Sequence, residues 1–117
     1  EIFFGDNYSL SAHVAKLVEA DALVILTDID GLFSANPRED ESARLISSVD
    51  RITDEILALA GGSGTSRGTG GMITKLHAGE IATSAGIDTV VMNGSDPEDI
   101  YKLLDGRQIG THFKAQR

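Results

Sequence analysis

The run Ala22-Leu23-Val24-Ile25-Leu26 limits what this chain can fold into more than any other stretch. Five apolar residues in a row, bounded by Asp21 and by Thr27-Asp28, suit a strand buried on both faces. Strands of that kind belong to parallel sheets covered by helices above and below. Ile87 to Met92, ending at Asn93-Gly94-Ser95, is a second candidate for a buried strand. Each run follows a helical pattern. Before the first, Leu10, Val14, Leu17 and Val18 recur at helical spacing, with Ala12, Ala15 and Ala20 between them. That helix is expected to end near Ala20, with Ser9 or Asn7 as its N-cap. Before the second, a helix is expected from Met72 to Ala85, closed by Gly86. Its polar side chains His77, Glu80 and Ser84 fall within about 60° on a helical wheel, so most of its surface should be pressed between the sheet and a neighbour. Helices alternating with buried strands predict an α/β fold, a three-layer αβα sandwich with a mainly parallel sheet.

The remaining stretches are shorter. Glu1 to Phe4 reads as a strand and Gly5-Asp6-Asn7 as a polar turn. Ile29 to Phe33 turns away from the first buried strand, and Ser34 to Ser42 forms a charged loop. Leu45 to Val49 is a short strand candidate. Thr53-Asp54-Glu55 opens a helix that runs to Ala60 and is stopped by Gly61 and Gly62. Asp96-Pro97-Glu98-Asp99 opens another, closed by Asp105-Gly106. Ile109 to Phe113 is a last strand, and Lys114 to Arg117 a frayed end. With 117 residues, no internal repeat and no linker, one domain or part of one is expected. The chain opens mid-pattern at Glu1, without Met or a signal-peptide pattern, and so reads as a piece of something longer.

Chemistry concentrates in Gly68-Thr69-Gly70-Gly71-Met72-Ile73-Thr74-Lys75, which follows Gly61-Gly62-Ser63-Gly64-Thr65-Ser66-Arg67 and runs into the long helix. Glycines let a backbone reach positive φ and come close to a ligand. A helix starting just after them offers unpaired N–H groups and the positive end of its dipole. That combination holds phosphate. Lys75, one turn in, is placed to set an ammonium over phosphate oxygens. The stretch is not a Walker A loop, because Gly-x4-Gly-Lys-[Ser/Thr] is absent. Thr27-Asp28 falls at the carboxyl end of the first buried strand, where open α/β sheets bind ligands.

Composition narrows the partners. A net charge of −8 disfavours nucleic acid, which requires a basic face. It allows a nucleotide, for which two or three basic groups suffice. No apolar run approaches the roughly 20 residues of a membrane span. The absence of cysteine excludes disulfides and thiolate metal sites and fits a cytoplasmic protein. His13, His77 and His112 lack ligand spacing. Asp28, Asp30 and the acids from Glu39 to Glu41 read as solvated loop carboxylates, and no metal site is assigned to protein side chains alone.

Taken in order, Phe4-Gly5-Asp6-Asn7, Leu10-Ser11-Ala12, Ala20-Asp21, Leu26-Thr27-Asp28 with Gly31-Leu32, Gly68-Thr69-Gly70-Gly71-Met72 with Thr74-Lys75, Ala85-Gly86-Ile87 and Gly110-Thr111-His112-Phe113 resemble the amino acid kinase family. The resemblance covers essentially the whole chain, residues 1–117, as the later, nucleotide-binding half of the kinase domain. Within the family it looks most like members that phosphorylate the γ-carboxylate of L-glutamate, the first step towards proline. It implies ATP as phosphoryl donor, Mg²⁺ held largely by ATP oxygens and water, and a homo-oligomer open to feedback inhibition by proline. By the same resemblance Thr27 and Asp28 would lie beside the nucleoside, and Thr69, Gly70, Gly71, Met72, Ile73, Thr74 and Lys75 would wrap the phosphates. Lys75 would act on the transferring group, and Asn7, with Asp6 beside it, would contact glutamate.

One position departs from the pattern. The family's usual Gly-Asp-Asn-Asp ends here in Tyr8, and a phenol supplies no carboxylate at neutral pH. By the resemblance, the carboxylate missing here would organise the catalytic lysines. The family's first-strand lysine and early glycine loop are not among these residues. Alternative readings are a family member acting on aspartate, acetylglutamate, carbamate or a nucleoside monophosphate, and a catalytically weakened nucleotide-binding module.

Overall fold

The computed structural model describes residues 8–61 and 70–116. The expected strand at Glu1–Phe4, the turn at Gly5-Asp6-Asn7, and the glycine approach from Gly62 to Thr69 lie outside the described residues. Among the described residues eight elements follow in order: α1 (Tyr8–Leu17), β1 (Ala22–Thr27), β2 (Ser48–Val49), α2 (Asp54–Gly61), α3 (Gly70–Ser84), β3 (Asp88–Asn93), α4 (Pro97–Leu104) and β4 (Thr111–Phe113).

The strands form one sheet in the order β1-β3-β4-β2. β1 and β3 pair in parallel from Ala22 opposite Asp88 to Thr27 opposite Asn93. β2 and β4 are parallel, and β3 and β4 antiparallel. The sheet is therefore mainly parallel, with one reversed junction. Leu23, Ile25, Val91 and Phe113 pack on one face with Ala12 and Ala15 of α1, Ala60 of α2, and Met72, Leu76, Ala78 and Ala82 of α3. Val24, Val90 and Met92 turn to the other face, where Ile100 and Leu103 of α4 cover them. Alternate residues of β1 and β3 thus enter two separate cores, as period-two geometry requires. The three-layer αβα arrangement is present.

The helix ends are chemically explicit. Thr53 Oγ1 accepts from the Ile56 amide at 3.3 Å, capping α2. Asp96 caps α4 by accepting from the Glu98 amide at 3.0 Å, with Pro97 in the first turn. At the end of α3 the Ile87 amide donates to Ala82 O and the Gly86 amide to Thr83 O, both at 3.0 Å. Gly86 takes φ 85° to make that closure. α1 closes in the same pattern, through Ala20 to Ala15 O and Glu19 to Lys16 O, but with Glu19 at φ 55° in the place glycine usually takes.

Four expectations shift. The end expected to fray is tied down through residue 116: the Ala115 amide donates to Asp88 Oδ1 and Gln116 Nε2 to Asp50 O, both at 2.7 Å. α1 runs from Tyr8 to Leu17, so Ser9 lies inside the helix and does not cap it. The stripe of larger residues on α1 points outward: Leu10 is 58% and Leu17 81% exposed, whereas Ala12 and Ala15 are fully buried. The alanine face is the one that fits close against α3. The strand expected over Leu45–Val49 is only Ser48–Val49, with Leu45 in a lone antiparallel bridge to Phe33. A side chain holds this region: buried Thr111 donates to Ile46 O at 2.6 Å and accepts from the Leu32 amide at 2.9 Å. Farther out in the loop, Ser42 donates to Asp40 through its hydroxyl at 2.6 Å and its amide at 2.9 Å. These bonds hold the Asp40 carboxyl below its usual range.

Candidate functional site

Connectivity places the site. α3 hands over through Gly86 to Asp88, the amino end of β3. Its 15 residues span about 22 Å, and the six residues of β3 about 20 Å. The start of α3 therefore returns to the carboxyl edge of the sheet, level with Thr27 and Asn93. α1 enters β1 in the same sense through Asp21, so Tyr8 also lies towards that edge. A direct contact joins the two helix starts: Lys75 Nζ sits 4.8 Å from the centroid of the Tyr8 ring.

The predicted residues divide into two groups. In the first turn and a half of α3, Gly70 opens the helix, and Gly71 and Thr74 are exposed. Met72 is buried in the core and Ile73 packs against it, so at these two positions only the backbone is left to face a ligand. Lys75 is 8% exposed and turns back along the helix, as helical side chains do. Its Nζ donates to Gly71 O at 3.4 Å, a long bond.

The second group sits at the strand ends. Thr27 is the last residue of β1, half-buried, and its hydroxyl donates to Asp28 Oδ1 at 3.4 Å. Asp28 is exposed. Asn93, the last residue of β3, crosses to it: Nδ2 donates to Asp28 O at 3.4 Å and to Asp30 Oδ1 at 3.3 Å. Asn93 Oδ1 accepts from the Ser95 amide at 2.8 Å, and the Gly94 amide donates to Thr27 O at 2.9 Å. Asn93 thus braces the loop after β1 against the loop after β3. In sequence it looked like an ordinary turn residue, and only its register opposite Thr27 shows otherwise. Asp6, Asn7 and Thr69 lie outside the described residues.

The edge suits a polyanion. A buried ammonium is costly unless compensated. Among the described residues no carboxylate pairs with Lys75; its partners are a carbonyl and an aromatic face. Among those residues no opposite charge meets it, and it stands at the positive end of a 15-residue helix, where phosphate oxygens are favoured. Among the described residues no group of three or more His, Asp or Glu gathers to hold a metal ion.

A family model described as the amino acid kinase family matches residues 1–93. Among curated proteins, glutamate 5-kinase of Clostridium perfringens is 51% identical over 114 residues, which cover 97% of this chain and 42% of that protein. Glutamate 5-kinase of Deinococcus radiodurans is 54% identical over 115 residues, covering 98% of this chain and 32% of that protein. The chain thus spans less than half the length of these relatives. Among solved structures, uridylate kinase from Archaeoglobus fulgidus superposes with a TM-score of 0.65 at 25% identity, covering 94% of this chain and 47% of that one.

Proposed function

The chain belongs to the amino acid kinase family, and from that premise we propose that it forms the nucleotide-binding part of a glutamate 5-kinase. The reaction is transfer of the γ-phosphoryl group of ATP to the γ-carboxylate of L-glutamate, giving ADP and glutamyl 5-phosphate on the way to proline. The observation that supports it best is the buried ammonium of Lys75, unpaired with any carboxylate among the described residues, at the start of α3 on the carboxyl edge of the sheet. The substrate rests on the glutamate 5-kinases that the chain resembles at about half identity.

Each residue has a task in this reading. Backbone amides from Thr69 to Thr74 hold phosphate oxygens, and the side chains of Met72 and Ile73 anchor that backbone in the core. Thr27 and Asp28 lie beside the nucleoside, in a loop braced by Asn93. Asp6 and Asn7 contact glutamate. The acceptor carboxylate is already ionised at neutral pH, so no strong general base is needed. An oxygen of the carboxylate forms the new P–O bond as the bond to ADP breaks, and ADP leaves with that electron pair. Lys75 meets the charge on the transferring oxygens, a role worth about 10²–10³ in rate. Magnesium would accompany the nucleotide, with no ligand group among the described residues, and would supply neutralisation of phosphate charge. A homo-oligomer and inhibition by proline belong to the same proposal.

The test uses the full encoded protein with ATP, magnesium and hydroxylamine, which traps an acyl phosphate as hydroxamate. Glutamate is expected to give γ-glutamyl hydroxamate in step with ADP, while aspartate, acetylglutamate, carbamate and UMP release no ADP above background. ADP release with one of those acceptors, and none with glutamate, overturns the assignment.

A further inference from the structure

Lys75 raises a question that phosphate binding alone does not answer: what holds its ammonium in place before a ligand arrives. The side chain is 8% exposed, and a lysine so placed normally finds a carboxylate or several carbonyl oxygens. Here the Gly71 carbonyl is 3.4 Å away and already closes the helical ladder, so it fixes little. Among the described residues the other partner is the Tyr8 ring, its centroid 4.8 Å from Nζ and inside the range over which an aromatic face attracts a cation.

We propose that Tyr8 is a positioning residue: its ring face holds the Lys75 ammonium over the first turn of α3, where a phosphate oxygen of the bound nucleotide meets it. The phosphate in this statement rests on the kinase reading; the contact between ring and ammonium does not.

Three features support the assignment. The ring packs, half-buried, against the core that α1 and α3 share. Tyr8 is the first residue of α1, and fully buried Ala12 and Ala15, one and two turns on, seat α1 in the same core as Leu76 of α3. Geometry on α3 cooperates, because a β-carbon at Gly71 would stand 3.4 Å from Nζ, in ordinary contact, so the ammonium lies directly against the first turn of the helix. Most tellingly, a ring orients the ammonium without supplying an opposite charge. A carboxylate in that place would cancel much of the field that an anionic ligand feels. The aromatic face leaves the positive charge and the N–H donors free for the phosphate.

The ring acts through its face, so the phenol hydroxyl is dispensable. Tyr8→Phe and Tyr8→Leu separate these contributions in the full encoded protein. Lysine labelled with ¹³C at Cε reports the contact directly, because ring currents move the Lys75 Hε resonances upfield. Wild type and Tyr8→Phe are expected to share that shift and to bind AMP-PNP with magnesium within about twofold of each other. Tyr8→Leu is expected to lose the shift and to bind the nucleotide about three- to tenfold more weakly. Its circular dichroism and melting curve verify that it folds. A purely structural ring would change the melting curve while leaving nucleotide affinity alone.

Absence of the ring shift in wild type overturns the proposal, even if hydroxamate forms and the kinase reading stands. Unchanged affinity in folded Tyr8→Leu overturns it too, as does a Tyr8→Phe variant as weak as Tyr8→Leu. Should the shifts and affinities follow expectation while no acyl phosphate forms from glutamate, the substrate assignment fails and the positioning role remains.

Discussion

Lys75 is the residue on which the chemistry turns, and its burial sharpens what its removal should do. Methionine keeps the aliphatic stem in the core and removes the charge. Lys75→Met is therefore expected to lower kcat/KM by about 10²–10³. The melting temperature should hold or rise, since a desolvated ammonium is lost along with the function. Steady-state kinetics beside a thermal melt check both parts. Asn93 makes the contrasting case. Its bonds to Asp28 and Asp30 are 3.4 and 3.3 Å, too long to stabilise by more than about 1 kcal/mol. Asn93→Ala should raise KM for ATP by about three- to tenfold with kcat nearly unchanged, because it frees the loop without touching the reacting atoms. Lys75 was legible in the sequence because glycines and a helical pattern surround it. Asn93 was not, because an asparagine before glycine and serine announces a turn in any protein. Its role arises from a parallel register that no local pattern encodes.

Among the elements, the buried strands and the capped helices lie near expectation, and the strand expected over Leu45–Val49 is the one that shrinks most. β1 and α3 lie within two residues of expectation at each end, since a five-residue apolar run and a 15-residue helix carry strong periodic information. β2 is two residues long, and its neighbourhood is set by the Thr111 hydroxyl and by Gln108 Nε2 donating to Ser47 O at 3.0 Å. Contacts across more than 60 residues leave no local trace in sequence. α1 misled in a different way: the stripe that spacing favours is exposed, because alanines allow the closer approach to α3. Two glycines test how the sheet edge is built. Gly110 takes φ 69°, and a β-carbon there would run into the Val91 carbonyl. Gly86 takes φ 85° with open space around it. Gly110→Ala should cost at least about 3 kcal/mol, from strain and overlap together, and Gly86→Ala about 1 kcal/mol from conformation alone. Urea unfolding of the two variants gives the comparison, and equal losses would contradict this account of β4.

At the scale of the whole molecule, one edge of the sheet gathers what three elements deliver: the Tyr8 ring from α1, the first turn of α3 with Lys75, and the braced loop after β1. The sheet supplies the common level because β1 and β3 run in parallel and end together at Thr27 and Asn93. Helices on both faces fix that level by burying two cores. The fold class was readable from composition and pattern, since buried strands after helices admit few architectures. The meeting of Tyr8 with Lys75 was legible only through the family pattern, whose carboxylate at position 8 serves the lysines; no local pattern links residues 67 positions apart, and a ring face in that place shows only once α1 and α3 pack side by side. The most direct measurement is a crystal structure of the full encoded protein with AMP-PNP and magnesium. The account predicts the triphosphate on the amides that begin α3, Lys75 Nζ within about 3 Å of a phosphate oxygen, and the nucleoside against Thr27 and Asp28. A nucleotide bound on the α4 side of the sheet, or a Lys75 ammonium paired with a protein carboxylate and turned from the phosphates, would contradict it.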